Sequence, residues 1–296
     1  MRLFSPAKIN LFLNVLSKRP DGYHELRTLF ERVSLGDVLI LKKRDSGLRF
    51  RVTGFSVPKG PKNLALKAAA LLRQECGIKA GADIYLKKRI PVSAGLGGGS
   101  SNAAFVLLGL NCLWRLNLPR KRLLAIGAKL GSDVPFFILE KSYAFARGRG
   151  EILKPLRVGP KALWHCLVKP PFGNSTKKAY EGLAPLFRQV KKLNGRAGLT
   201  PKKVNVKMLV RSLQRGDSEP LSKLLVNSLE LTLNKRVKTI IDIKNKLVLE
   251  GAFASLMSGS GSAVFGLFRS EKEAKRAARR LSKKHKNWQV FVASTY

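Results

Sequence analysis

Apolar positions in the first sixty residues fall in short runs of strand character. Phe4–Val15 has strand composition, and Asp37–Leu41 and Leu48–Thr53 read as further strands. Arg19-Pro20-Asp21-Gly22 is a turn signal between the first two. Asn63–Glu75 then places Leu64, Ala68, Leu71 and Leu72 at helical spacing, with Gly77 as a stop. Ala82–Lys88 alternates, with Ile84 and Leu86 on one face and Asp83, Tyr85 and Lys87 on the other. An apolar helix is expected up to about Leu116, and a second over Pro119–Leu130, closed by Gly131. Val134–Leu139 is apolar, Tyr143–Ala146 reads as a short strand, and Gly148-Arg149-Gly150 as a turn. Lys154–Pro160 holds two prolines and a glycine, which places a domain boundary there and divides residues 1–155 from 156–296. Beyond it the pattern predicts a strand over Ala162–Lys169 and helices around Lys177–Phe187, Val204–Leu213, Pro220–Val226 and Arg236–Leu249. Strand Ala263–Phe268, helix Glu271–Lys284 and strand Trp288–Val292 complete it. Helices packed on one face of a small sheet, an α+β arrangement, fit this order.

The chain has 296 residues, 45% of them hydrophobic, enough for one large or two ordinary cores. Its longest apolar stretch, Ala103–Leu110 and on through Leu113 and Trp114, is broken by Asn111 and fits a buried helix better than a membrane span. Met1–Lys8 has neither a signal-peptide core nor an organelle leader, so the cytoplasm is the expected address. Cys76, Cys112 and Cys166 are odd in number and far apart, which points to apolar fillers rather than a zinc site or disulfides.

Charge makes nucleic acid a competitor. Lys and Arg number 57 against 18 Asp and Glu, a net +39. The clusters, such as Lys42-Lys43-Arg44, Lys87-Lys88-Arg89, Lys191-Lys192, Lys202-Lys203 and Arg279–Lys286, are spread over the whole chain. Aromatic residues do not interleave with them as stacking platforms would. A basic solvated surface that attracts a polyanionic small molecule is the simpler expectation.

The strongest motif is Pro91-Val92-Ser93-Ala94-Gly95-Leu96-Gly97-Gly98-Gly99-Ser100-Ser101, set between an expected strand and an expected helix. Four glycines in five positions let backbone approach a ligand closely. Ser100 and Ser101 are good N-cap types for a helix beginning just after them. A helix N-terminus offers free N–H groups and partial positive charge, so together these features suit phosphate. No lysine follows the glycines, so this is not a Walker A loop. Counting Gly-x-Gly-x-x-Gly from Gly95 ends on Ser100, so it is not the dinucleotide fingerprint either. A hinge or tight turn would not require the strand-loop-helix setting or the paired serines. A second loop, Ser258-Gly259-Ser260-Gly261-Ser262, is explained as well by a turn entering a strand.

Ser5-Pro6-Ala7-Lys8-Ile9-Asn10-Leu11, the Pro91–Ser101 loop and Ser258–Phe265 together resemble the three motifs of the GHMP kinase superfamily. Arg19-Pro20-Asp21-Gly22-Tyr23-His24 and Leu130-Gly131-Ser132-Asp133-Val134-Pro135 extend the likeness to members whose substrate carries a cytidine diphosphate group. The resemblance spans nearly the whole chain and is weakest from about Lys178 to Glu250. It implies an N-terminal domain of the ribosomal-protein-S5-like kind and a ferredoxin-like C-terminal domain, with substrate in a cleft between them. It implies ATP as phosphoryl donor and magnesium with it, for which no protein ligand stands out beyond Ser101.

Lys8 and Asp133 match the family's catalytic pair. An exposed edge lysine and a helix N-cap or turn aspartate are the bland alternatives. In the functional reading Asp133 orients the substrate hydroxyl and takes its proton late, while Lys8 holds Asp133 and offsets charge on the γ-phosphoryl. A carboxylate is a weak base for an alcohol, which matters little in a loose phosphoryl-transfer transition state. Tyr23 and His24 match the cytidine-binding positions, and Asn10 a polar substrate contact. Thr176 and Tyr180 fall where the family has a threonine and an aromatic, although Pro170–Ser175 departs from its pattern. Homoserine, mevalonate or sugar kinases are the nearest alternatives, and an RNA-binding protein the more distant one. Oligomeric state is not legible.

Overall fold

The computed structural model of the chain describes residues 1–158, 163–194, 206–233 and 236–296, with backbone alone for 189–194. Its first half runs β1 (Arg2–Lys18), β2 (His24–Arg44), β3 (Leu48–Gly54), α1 (Leu64–Cys76), β4 (Gly81–Lys88), α2 (Gly98–Leu113), α3 (Arg120–Leu130), α4 (Val134–Ile138), β5 (Tyr143–Arg147) and β6 (Ile152–Leu156). Its second half runs β7 (Trp164–Lys169), α5 (Thr176–Glu181), α6 (Leu183–Asn194), α7 (Val206–Arg215), α8 (Ser218–Leu224), β8 (Val226–Asn227), α9 (Val237–Leu249), β9 (Ala254–Met257), β10 (Val264–Phe268), α10 (Glu271–Lys284) and β11 (Gln289–Ser294). The expectations for residues 159, 160, 162, 204 and 205, and the Lys202-Lys203 cluster, lie outside the described residues.

The departures from the sequence reading have local causes. Asp37–Leu41 is the end of a 21-residue strand whose polar stretch around Glu31, Arg32 and Ser34 hides the pattern. Strand β6 is hidden in the sequence because it contains Pro155, which an edge strand tolerates; among the described residues β6 pairs with β5 alone. The helix expected over Lys177–Phe187 is two helices, parted at Gly182. Val226, the last residue of the helix expected from Pro220, belongs to β8. Cys112 lies exposed on α2 rather than buried as a filler, while Cys166 is in the core.

The chain divides into two compact units, each assembled from three segments. Met1–Lys8, Leu35–Val92 and Gly97–Lys141 make the first; Ile9–Ser34, Ser93–Leu96 and Ser142–Tyr296 make the second. In the first unit β4 lies between β2 (antiparallel) and β3 (parallel). Leu39, Leu41, Ile84 and Leu86 are buried on one side of this sheet, and Leu72 of α1, Val106 and Leu110 of α2 and Phe136 and Phe137 of α4 are buried in the same unit. In the second unit β7, β9, β10 and β11 form an antiparallel sheet in the order β11-β7-β10-β9. Its core joins Cys166, Val168, Val264 and Phe268 to Ile240, Ile243 and Leu247 of α9 and to Ala274, Ala277 and Leu281 of α10. Among the described residues no helix is long and apolar enough to cross a membrane.

Helix α1 begins where the sequence predicts because Asn63 caps it. Its carboxamide oxygen accepts from the N–H of Ala65 (2.9 Å) and Leu66 (3.4 Å), and its amide donates to the Pro58 carbonyl (2.7 Å). Gly77 ends it in the left-handed conformation, φ 62°. Asn63→Ala removes all three bonds and is expected to destabilise the protein by about 1–2 kcal/mol. Equilibrium urea unfolding with an unchanged m-value checks this.

Candidate active site

Lys8 lies in β1 and in the first unit, only 4% exposed. Its ammonium sits 3.3 Å from Oδ2 of Asp133. Asp133 occupies the N-cap position of α4, yet its side chain makes no capping bond. The cap explanation therefore fails, and the carboxylate is turned toward Lys8, about one-third exposed. Gly97 packs against both elements: a Cβ there would come within 2.9 Å of Lys8 Cγ and 3.1 Å of the Phe137 ring. Gly97 is also left-handed, φ 68°, and is itself the N-cap of α2. The helix thus starts at Gly98, three or four residues earlier than expected. Ser100 and Ser101 are not caps; they lie inside the first turn. The N–H groups of Gly98, Gly99 and Ser100 are the donors that a helix start leaves without intrahelical partners.

Beneath this helix start is a polar network the sequence reading missed. Asp37 is fully buried on β2, and its Oδ1 accepts from the N–H of Arg89 (2.7 Å) and Ile90 (2.8 Å). Its Oδ2 pairs with the ammonium of Lys88 and accepts from Asn102 Nδ2 (2.8 Å). Asn102 also donates to Ser5 Oγ (3.0 Å), which is bonded to Ser101 Oγ (2.7 Å). One carboxylate therefore holds residues just before and just after the Pro91–Ser101 loop. Burial pushes the Lys88 ammonium below its usual value, with Asp37 pulling the other way. The alternation read in β4 carries Lys88, two residues beyond Leu86, onto the inward face, a signal that the sequence reading passed over. Ser101, singled out toward magnesium, has its hydroxyl enclosed in this network.

In the second unit the loop segment Ser93–Leu96 is joined to Ser258–Ala263. Ser258 Oγ donates to the Gly95 carbonyl (3.1 Å) and accepts from the Asn10 N–H (3.3 Å), and the Ala263 N–H donates to the Ala94 carbonyl (3.0 Å). A Cβ on Gly95 would lie 2.0 Å from the Ser258 carbonyl oxygen. The second glycine loop, weak as a sequence signal, is thus a structural partner of the first. Thr176 Oγ1 is 3.0 Å from Ser260 Oγ, and Asn174 Nδ2 donates to the Ser260 carbonyl (2.7 Å). Asn10 is buried, its amide donating to Thr28 Oγ1 (2.8 Å).

The start of β2 carries an aromatic group in the same unit. His24 and Tyr180 have ring centroids 5.2 Å apart, and Phe187, which sequence reasoning passed over, stacks at 6.1 Å from His24. Burial and, after it, the Lys18 charge hold the His24 imidazole below its ordinary pKa. Tyr23 is half exposed, with the Arg149 guanidinium 4.5 Å from its ring centroid. The Gly148–Gly150 turn that carries Arg149 is fixed by Glu25, whose Oε1 accepts from the Gly148 N–H (3.1 Å). Among the described residues no group of three or more His, Cys, Asp or Glu stands together as a metal cage.

The buried pair carries a direct prediction. Lys88→Met leaves the buried Asp37 carboxylate short of a partner, and is expected to cost about 3–5 kcal/mol in urea unfolding. Pairing it with Asp37→Asn should recover part of that loss.

Comparison with known proteins places this geometry. The GHMP kinases N terminal domain matches residues 63–141 and the GHMP kinases C terminal domain residues 209–287. The 4-diphosphocytidyl-2-C-methyl-D-erythritol kinase of Pelotomaculum thermopropionicum is 41% identical over 291 residues, 98% of this chain and 96% of that protein. The kinase of the same name from Clostridioides difficile is 39% identical over 296 residues, 100% and 95%. A crystal structure of a 4-(cytidine 5'-diphospho)-2C-methyl-D-erythritol kinase superposes with a TM-score of 0.82 at 37% identity, covering 99% of this chain and 98% of that one. A homoserine kinase from Cytophaga hutchinsonii shares the fold at 21% identity, TM-score 0.73. With both domains present and near-full-length relatives at about two-fifths identity, the chain belongs to the GHMP kinase family.

Proposed function

We propose that the chain transfers the γ-phosphoryl group of ATP to the 2-hydroxyl of 4-diphosphocytidyl-2-C-methyl-D-erythritol, in the non-mevalonate route to isopentenyl diphosphate. The observation that carries this is the Lys8–Asp133 contact packed against Gly97, at the start of a helix with free N–H groups, in a chain whose relatives bear that kinase name.

The N–H groups of Gly98, Gly99 and Ser100, with the positive end of α2, receive the ATP phosphates. Asp133 accepts a hydrogen bond from the substrate hydroxyl and so aims its oxygen at the γ-phosphorus. The bond from that phosphorus to the β-phosphate oxygen breaks as the new phosphorus–oxygen bond forms. The hydroxyl proton passes to Asp133, and ADP leaves with the negative charge. Lys8 orients Asp133 and offsets charge on the moving phosphoryl. Among the described residues no group of three or more His, Cys, Asp or Glu would cage a magnesium ion, and the ion is expected to arrive held by the phosphates and water.

Tyr23, His24 and Tyr180 receive the cytidine. An aromatic face stacks on the base, and a neutral imidazole can both donate to and accept from its edge. Phe187 backs His24, and Thr176 and Asn10 supply polar contacts in the same unit. Recognition of a base by aromatic groups favours this substrate over homoserine or mevalonate.

An ADP-release assay comparing the diphosphocytidyl substrate with homoserine and mevalonate tests the assignment; preference for either of the latter overturns it. Lys8→Ala and Asp133→Asn are each expected to lower kcat by about 10²–10⁴ in folded protein. KM for the diphosphocytidyl substrate should stay flat through neutral pH. It should rise only once pH falls below the ordinary histidine range, where His24 gains its proton.

A further inference from the structure

The chemistry above leaves one face of the first unit's sheet unused. Leu39, Leu41, Ile84 and Leu86 are buried on the inner side, with Gly109 of α2 seated against Leu41. Alternate residues therefore point outward, and strand register sets them in three rows. Lys42, Asp83 and Arg49 form one row, Ile40, Tyr85 and Arg51 the next, and Val38, Lys87 and Thr53 the third. The Tyr85 ring at the centre is approached by Lys42 Nζ at 5.8 Å and Arg51 Cζ at 5.9 Å. Asp83, the one acidic residue in these rows, is occupied by Arg44 (3.5 Å) and Arg49 (3.8 Å). Val38, Ile40 and Tyr85 line a depression of about 270 Å³ whose other lining includes Arg2, Lys87 and Arg89.

We propose that this face binds single-stranded nucleic acid, with Tyr85 stacking on a base and the surrounding cations meeting the phosphates. A half-buried aromatic ring on an open sheet, flanked by cations, offers both contacts that such strands use, base stacking and backbone neutralisation. Charge excludes the obvious competitor: a two-fold contact with a second copy of this chain would set these arginines and lysines against themselves. Along the sequence aromatic and basic residues do not interleave, but strand pairing sets one aromatic, Tyr85, among Lys42, Arg51 and Lys87. The net charge of +39 would raise the encounter rate with any polyanion.

The test is fluorescence anisotropy of a labelled single-stranded oligouridine with the full chain, at salt between about 50 and 200 mM. Expected is binding that weakens with salt. Tyr85→Ala should lower affinity about 5- to 150-fold, and Tyr85→Phe should preserve it. Arg51→Ala with Lys87→Ala should reduce the salt slope by about 1.4. All these variants should keep wild-type ATP turnover, which shows them folded, and Lys177→Ala with Lys178→Ala should bind as wild type. The proposal is overturned if no binding occurs at the lowest salt, or if the Tyr85→Ala and Arg51→Ala/Lys87→Ala proteins bind normally. It also fails if polyglutamate displaces the oligonucleotide at equal charge concentration, which would assign the face to an acidic protein. Self-association that Tyr85→Ala abolishes would assign it to a second copy, and overturn it too.

Discussion

Asp37 carries its carboxylate to a place with no solvent exposure, and four donors from two neighbouring elements meet it there. A buried charge with fewer partners would be expelled or neutralised. What makes the arrangement matter is where those donors stand in the chain. Three come from Lys88, Arg89 and Ile90, the last from Asn102, and the glycine loop is everything in between. A long glycine-rich segment has many conformations to lose, and fixing both of its ends to one carboxylate removes much of that freedom before any ligand arrives.

That constraint also explains how a phosphate site can manage without a lysine inside its loop. The charge of Lys88 lies below the loop but is answered by Asp37, so the pair is structural and contributes little net field. Positive potential comes instead from the peptide dipoles at the start of α2 and from Lys8, which reaches the site from β1. Gly97 and Gly98 let these parts nest. A Cβ on the first would collide with Lys8 and on the second with the Lys88 ammonium, at 2.7 Å. The glycines are therefore demanded as much by the protein's own side chains as by close approach of a nucleotide.

The sequence made most of this legible, and its failures are instructive. Periodicity located α1, β4 and α10 because each has one buried face and clear terminal signals. It lost β2 where polar residues interrupt a strand buried on both sides, and β6 where a proline sits on an edge. Lys8 and Asp133 stood out by motif, and they are in contact. The Asp37–Lys88–Asn102 network did not, because residues 37, 88 and 102 meet only through folding; the one local hint is Lys88, a lysine two residues beyond Leu86 on the apolar face of β4. Phe187 was invisible for a different reason: an aromatic on a helical face reads as core until its neighbour is seen to be His24.

Each compact unit is stitched from three separated stretches of chain, and this bears on synthesis. Everything the first unit needs has left the ribosome once Lys141 has emerged. Ile9–Ser34 belongs to the second unit, however, and most of that unit begins only at Ser142. Once Lys141 has emerged, Leu11, Phe12, Leu13, Leu29, Phe30 and Val33, all buried in the finished protein, still wait for the rest of their unit, residues 142–296, about 155 of them, to be added. At about 5–20 residues per second that interval is on the order of 10 s. For that time the nascent chain displays an apolar, strand-forming segment beside a completed unit, which makes this early stretch the natural place for a ribosome-associated chaperone to act.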